Sequence, residues 1–135
     1  MNTFLKTGEP KEDLNSVSTL VQLGDFFYIS GVTGKGSTFQ EQAVSAMYGL
    51  KDVLHQFNLR LDHVLKFNVY LQDLEDQDEF MKIFENFVEA PYPALSLMEV
   101  SRLPHDARVM VDGQGVNTLR HEISMQESYC EDCDA

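Results

Sequence analysis

Basic residues are scarce in this sequence: 10 Lys and Arg stand against 22 Asp and Glu, a formal charge of −12 at pH 7. Such a chain repels phosphate backbones, which excludes nucleic acid as an expected partner. Cysteine is nearly absent. Cys130 and Cys133 sit close together among acids near the end of the sequence, where a disulfide closes too short a loop to staple a fold. Their C-x-x-C spacing supplies only half of a structural zinc site, and the thioredoxin-like context of a redox pair is missing, so neither metal nor cofactor is expected. Long apolar runs are lacking as well. No stretch approaches bilayer-spanning length, and Met1-Asn2-Thr3-Phe4-Leu5-Lys6 has no apolar signal core with a small-residue cleavage site, so a cytoplasmic protein with no membrane partner is expected. What remains is ordinary hydrophobic packing: 43% of 135 residues are hydrophobic, enough for one core and too few for two ordinary domains.

Residues 1–16 show no period and read as an N-terminal arm, residues 17–118 as the domain, and residues 119–135 as an acidic tail carrying Glu122, Glu127, Glu131, Asp132 and Asp134. Between Thr19-Leu20-Val21-Gln22-Leu23 and Phe26-Phe27-Tyr28-Ile29-Ser30, the pair Gly24-Asp25 predicts a β-hairpin. The glycines of Gly31 to Ser37 predict a loop, and Thr38 with Glu41 three residues on is a capping-box signature. Ala43, Met47, Leu50, Leu54 and Phe57 recur at helical spacing, which predicts a helix over 39–57 with Asn58 as its stop. Val64 to Leu71 reads as an interior strand. The acids from Asp73 to Asp78 suit a helix start, and Phe80, Ile83, Phe84, Phe87 and Val88 continue that helix until Pro91 and Pro93 end it. Ala94 to Val100 and Ala107 to Val116 read as two more strands, joined by a turn at Pro104-His105-Asp106.

The order ββαβαββ predicts a two-layer α+β domain, a mixed sheet with both helices on one face. Its other face needs a cover, which points to an oligomer. Motifs of independent chemistry are few. Gly34-Lys35-Gly36-Ser37 lacks the earlier glycine of a phosphate loop, and no G-x-S-x-G occurs. His55, His63, His105 and His121 have no ligand spacing and read as solvated or locally bonded, and the paired carboxylates read as helix-dipole complement and solvation.

Leu23-Gly24-Asp25-Phe26-Phe27-Tyr28-Ile29-Ser30-Gly31, a long helix, and then Val64-Leu65-Lys66-Phe67-Asn68-Val69-Tyr70-Leu71-Gln72-Asp73-Leu74 closely resemble the Rid family of reactive intermediate deaminases, also called the YjgF family. So does Pro93-Ala94-Leu95-Ser96-Leu97-Met98-Glu99-Val100-Ser101-Arg102-Leu103-Pro104, similar to that family's P-A-R-S…E-V-A-R-L-P signature. The resemblance runs from Val17 to Val116. It implies a chorismate-mutase-like α+β fold, a homotrimer with a ligand cleft at each subunit interface, and hydrolysis of imines and enamines without metal or cofactor.

The family's arginine, whose fork clamps a substrate carboxylate, falls on Leu95 here. Its water-positioning glutamate aligns with Met110, its tyrosine with Val17, its asparagine with Met81, and its small polar or thiol residue with Leu97. A carboxylate in such a cleft is desolvated without its partner, at a cost on the order of several kcal/mol. Gly31 is kept, with an amide able to donate to a ligand oxygen, and the loop after it is shorter than usual in the family. No catalytic residue is therefore assigned. Gly31, Leu95, Leu97, Met110, Met81 and Val17 either fill an interface or line a pocket for a small neutral or apolar metabolite, with Met as an adaptable wall. The expected function is a small-molecule-binding or interaction module without the family's deaminase activity. The alternative is an imine or enamine deaminase acting on reactive amino-acid-derived intermediates through a non-standard site, with Arg102, Arg108 and Asp112 as polar candidates. Arg102 also fits a structural salt bridge, and Arg108 and Asp112 are expected on solvent-facing strand positions. Ribonuclease activity, carried by name in some relatives, is opposed by the charge of −12.

Overall fold

The computed structural model describes residues 5–6, 16–119 and 122. The Cys130/Cys133 pair, His121, and most of the arm and tail lie outside these residues. The strands are β1 (Leu5–Lys6), β2 (Leu20–Leu23), β3 (Phe26–Thr33), β4 (Val64–Leu71), β5 (Ala94–Glu99) and β6 (Val109–Val116), and the helices are α1 (Phe39–Gln56) and α2 (Gln77–Phe84). They form one six-stranded sheet in the order β1-β2-β3-β6-β4-β5, in which only β4 and β5 pair in parallel. That pair requires a crossover, and α2 supplies it. The α+β order read from the sequence is therefore present. One strand is added, because Leu5 and Lys6 of the expected arm pair with Leu23 and Gln22.

Both helices cover one face. Ala43, Met47, Leu50 and Leu54 of α1 and Phe80, Ile83 and Phe84 of α2 join Phe27, Ile29, Phe67, Val69, Leu71, Val109 and Val111 in one buried cluster. The ring of Phe84 meets Phe67 edge-on at 5.1 Å. At the start of α1, Thr38 Oγ1 accepts from the Glu41 amide at 3.1 Å, and Glu41 Oε1 accepts from the amides of Ser37 and Thr38 at 3.0 and 3.1 Å. These donors hold the Glu41 carboxyl below its ordinary range. At the other end Phe57 caps the helix and Asn58 takes a left-handed φ of 59°, as expected of a stop.

Two boundaries differ from expectation. The strand β3 does not end before Gly31 but runs to Thr33, because the β-branched Val32 and Thr33 pair with Val111 and Met110. The register shifts between Ile29 and Val32, so a bulge at Ser30 and Gly31 absorbs the irregularity. Helix α2 stops at Phe84, short of Val88, as the Asn86 and Phe87 amides tighten onto Ile83 and Phe84 carbonyls. Val88 is still buried, and Phe87 meets Tyr48 edge-on at 5.2 Å, so the turn continues the apolar period without continuing the helix.

Among the described residues no layer covers the opposite face of the sheet. Phe26 and Tyr28 are more than half exposed there, and Leu23, Leu65 and Met98 are exposed beside them.

Candidate functional site

Strand alternation assigns Leu95 and Leu97 to the covered face, since their register partners on β4 are the buried Phe67 and Val69. Both are half-buried and pack against the core cluster, and β5 is the edge of the sheet. Met81 is partly exposed on α2, one turn before the Phe84 that meets Phe67 edge-on. These three residues therefore lie on the helix side.

Gly31 and Met110 form a second group, on the other side, with Val17 in the chain leading to β2. Ser30 Oγ donates to the Ser18 carbonyl at 2.6 Å, which brings the exposed Val17 beside the bulge. A Cβ built on Gly31 would stand 2.6 Å from Met110 Sδ. The Met110 side chain thus occupies the space over Gly31, and a side chain at position 31 would have to push that flexible thioether aside. Within one chain the sheet separates the two groups, so the six residues do not meet in a single pocket.

The loop after β3 is pinned by Gln42, whose amide nitrogen donates to the Gly36 carbonyl at 3.1 Å and whose Oε1 accepts from the Arg108 amide at 2.8 Å. A groove of about 470 Å³ opens there, lined by Thr33, Lys35, Gln42 and His105, and Thr33 is the register partner of Met110. His63 is locally bonded as expected: the Arg60 amide donates to its Nδ1 at 2.9 Å, and burial lowers its pKa.

Of the polar candidates of the deaminase alternative, Arg108 and Asp112 are held by partners rather than free on a solvent face. Arg108 pairs with Asp76 at 2.9 Å and lies 5.4 Å from the centre of the Phe39 ring, so it clamps β6 to the helical layer. Asp112 is half-buried, accepting from Asn68 Nδ2 at 2.7 Å and from the Tyr70 hydroxyl at 2.9 Å. Burial, then the hydrogen bond to Asp112 and its charge, raise the Tyr70 pKa, so the phenol stays a donor. Arg102 is exposed. The Asn68–Tyr70–Asp112 cluster was not anticipated. Asn68 and Tyr70 do alternate with Phe67, Val69 and Leu71, which marks them for the uncovered face, but nothing local sets β4 against β6. Among the described residues no three His, Cys, Asp or Glu side chains converge as metal ligands, and no helix is long and apolar enough to cross a membrane.

Residues 10–114 match the family model described as Endoribonuclease L-PSP. A RutC family protein of Saccharolobus solfataricus is 29% identical over 119 residues, covering 82% of this chain and 94% of its own length. A protein of Dermatophagoides farinae named 2-iminobutanoate/2-iminopropanoate deaminase is 25% identical over 117 residues, covering 81% and 91%. Among solved structures, RidA from an Antarctic Psychrobacter superposes with a TM-score of 0.73 at 28% identity, over 76% of this chain and 89% of that one. A YjgF family member of Mycobacterium tuberculosis reaches 0.77 at 20% identity, over 84% and 99%, a likeness of fold.

Proposed function

The chain belongs to the Endoribonuclease L-PSP family, the Rid or YjgF family that its motifs resemble, and on that premise we propose that it is a cytoplasmic homotrimer with an altered, apolar intersubunit cleft. It acts as a small-molecule-binding or interaction module without the imine deaminase activity of its relatives. The observation that carries this reading is Met110 lying over Gly31. A thioether stands where the family positions water with a carboxylate, and it has no proton to exchange. The half-buried Leu95 and Leu97 remove the second requirement, a fork for a substrate carboxylate. Separation of the two groups by the sheet fits a cleft completed by a neighbouring copy, which also covers Phe26, Tyr28 and Met98.

One observation favours the deaminase alternative: Asp112, beside Met110 on the same face, is an oriented carboxylate, and a relative carries a deaminase name. In that reading Asp112 would position water at a non-standard site. Ribonuclease activity is opposed by the charge of −12.

Sedimentation equilibrium at micromolar concentration, with the neutral dye Nile red titrated into the same sample, tests the proposal. A species of three times the 15.4 kDa chain mass is expected. Saturable dye fluorescence lost on Leu95→Asp supports the small-molecule role, and a trimer without binding supports the interaction role. A monomer overturns both.

A further inference from the structure

The one carboxylate in β6 points to the charge of the ligand, an inference that rests on the small-molecule reading above. Asp112 follows Met110 by two residues and so shares its face. Asn68 and Tyr70, both on β4, each hold one of its oxygens, at 2.7 and 2.9 Å. These neutral donors fix the plane of the carboxylate without cancelling its charge. No described Lys, Arg or His forms an ion pair with it; the one cation in an ion pair on this strand's approach, Arg108, is taken by Asp76. Lys66 faces the same side but lines a separate groove of about 210 Å³ with Phe26, Tyr28 and Gln114.

On its other flank, Asp112 meets the break in β3. Gly113 pairs with Ile29 and Val111 with Val32, which leaves the bulged Ser30 and Gly31 opposite Asp112. Around this cluster Met110 lies over Gly31, Met98 is the register partner of Tyr70, and the polar neighbours Ser96 and Gln114 on the same face are neutral. A carboxylate has about four lone-pair positions, and two are filled here. When a second copy covers this face the carboxylate loses water, and the group that best offsets that loss is a cation. The same cleft has leucine where a cationic fork would attract an anion.

We propose that Asp112, oriented by Asn68 and Tyr70, anchors the ammonium group of a small apolar amine in the cleft. The charge preference of the site is then the reverse of a carboxylate clamp.

The test is calorimetric titration of the full chain at pH 7 with three ligands of one shape: 2-phenylethylamine, 2-phenylethanol and phenylacetate. The amine is expected to bind about tenfold tighter than the alcohol, a difference of ~1.4 kcal/mol, and phenylacetate weakest. Asp112→Asn should bring the amine down to the alcohol's affinity without changing the alcohol's affinity or the sedimentation. Tyr70→Phe, which keeps the charge and loosens its orientation, should reduce the preference in part. Alcohol binding with no preference for the amine, or a preference that survives Asp112→Asn, overturns the anchor and leaves the apolar cleft standing. Absence of binding by all three overturns the open cleft and the anchor together.

Discussion

At the scale of single residues, Leu95, Leu97 and Met110 are side chains that only pack, at positions where the resemblance implies hydrogen-bonding groups. Leu95 sits against Phe67 under the helical layer and contributes to the core. Restoring arginine there alone puts a guanidinium into a half-buried apolar layer beside Leu97 and the core cluster. Leu95→Arg is therefore expected to gain no turnover and to destabilise the protein by about 1–3 kcal/mol, read from urea unfolding. Unchanged stability would mean that the side chain escapes to solvent at the sheet edge. That Leu95, Leu97 and Met110 lie on strands was legible in the sequence, because Ala94 to Val100 and Ala107 to Val116 have strand composition. The fate of Arg108 and Asp112 was not, since each is defined by a partner far along the chain, Asp76 for one and Asn68 with Tyr70 for the other.

At the scale of elements, features written in consecutive residues were readable and those set by pairing were not. The capping box of Thr38 and Glu41 and the stop at Asn58 are local hydrogen-bond and backbone devices, and both are present as read. The extension of β3 to Thr33 depends on Val111 and Met110 across the sheet, so glycine content misled. The capping box carries a pH dependence with a definite sign. The Glu41 carboxyl is held below its ordinary 4.5 by the amides of Thr38 and Ser37 and then by their hydroxyls. Its contribution is present above pH 4.5 and lost as pH falls through the lower folded value. Glu41→Gln should be less stable than the parent at pH 7, with the gap closing in acid; Thr38→Ala should cost about 1 kcal/mol. Urea midpoints at pH 7 and pH 3 check this, and a gap of equal size at both would remove the carboxylate from the account.

At the scale of the whole molecule, one layer of helices leaves an apolar sheet face uncovered among the described residues, and this was foreseeable from the count of helices alone. The strand order, with β6 between β3 and β4, was not, because it is set by long-range pairing. That order puts Asp112 next to the bulge at Gly31 and sets Leu95 and Met110 on opposite faces of the sheet. The central claim is that this arrangement binds without hydrolysing the family's imines. Its most direct test generates a carboxylate-bearing 2-aminoacrylate-type imine in the presence of semicarbazide, which competes for the imine, and adds the unmodified chain. The same semicarbazone yield is expected with and without protein; a yield that falls in proportion to added chain would contradict binding without hydrolysis and bring Arg102, Arg108 and Asp112 forward as catalytic candidates.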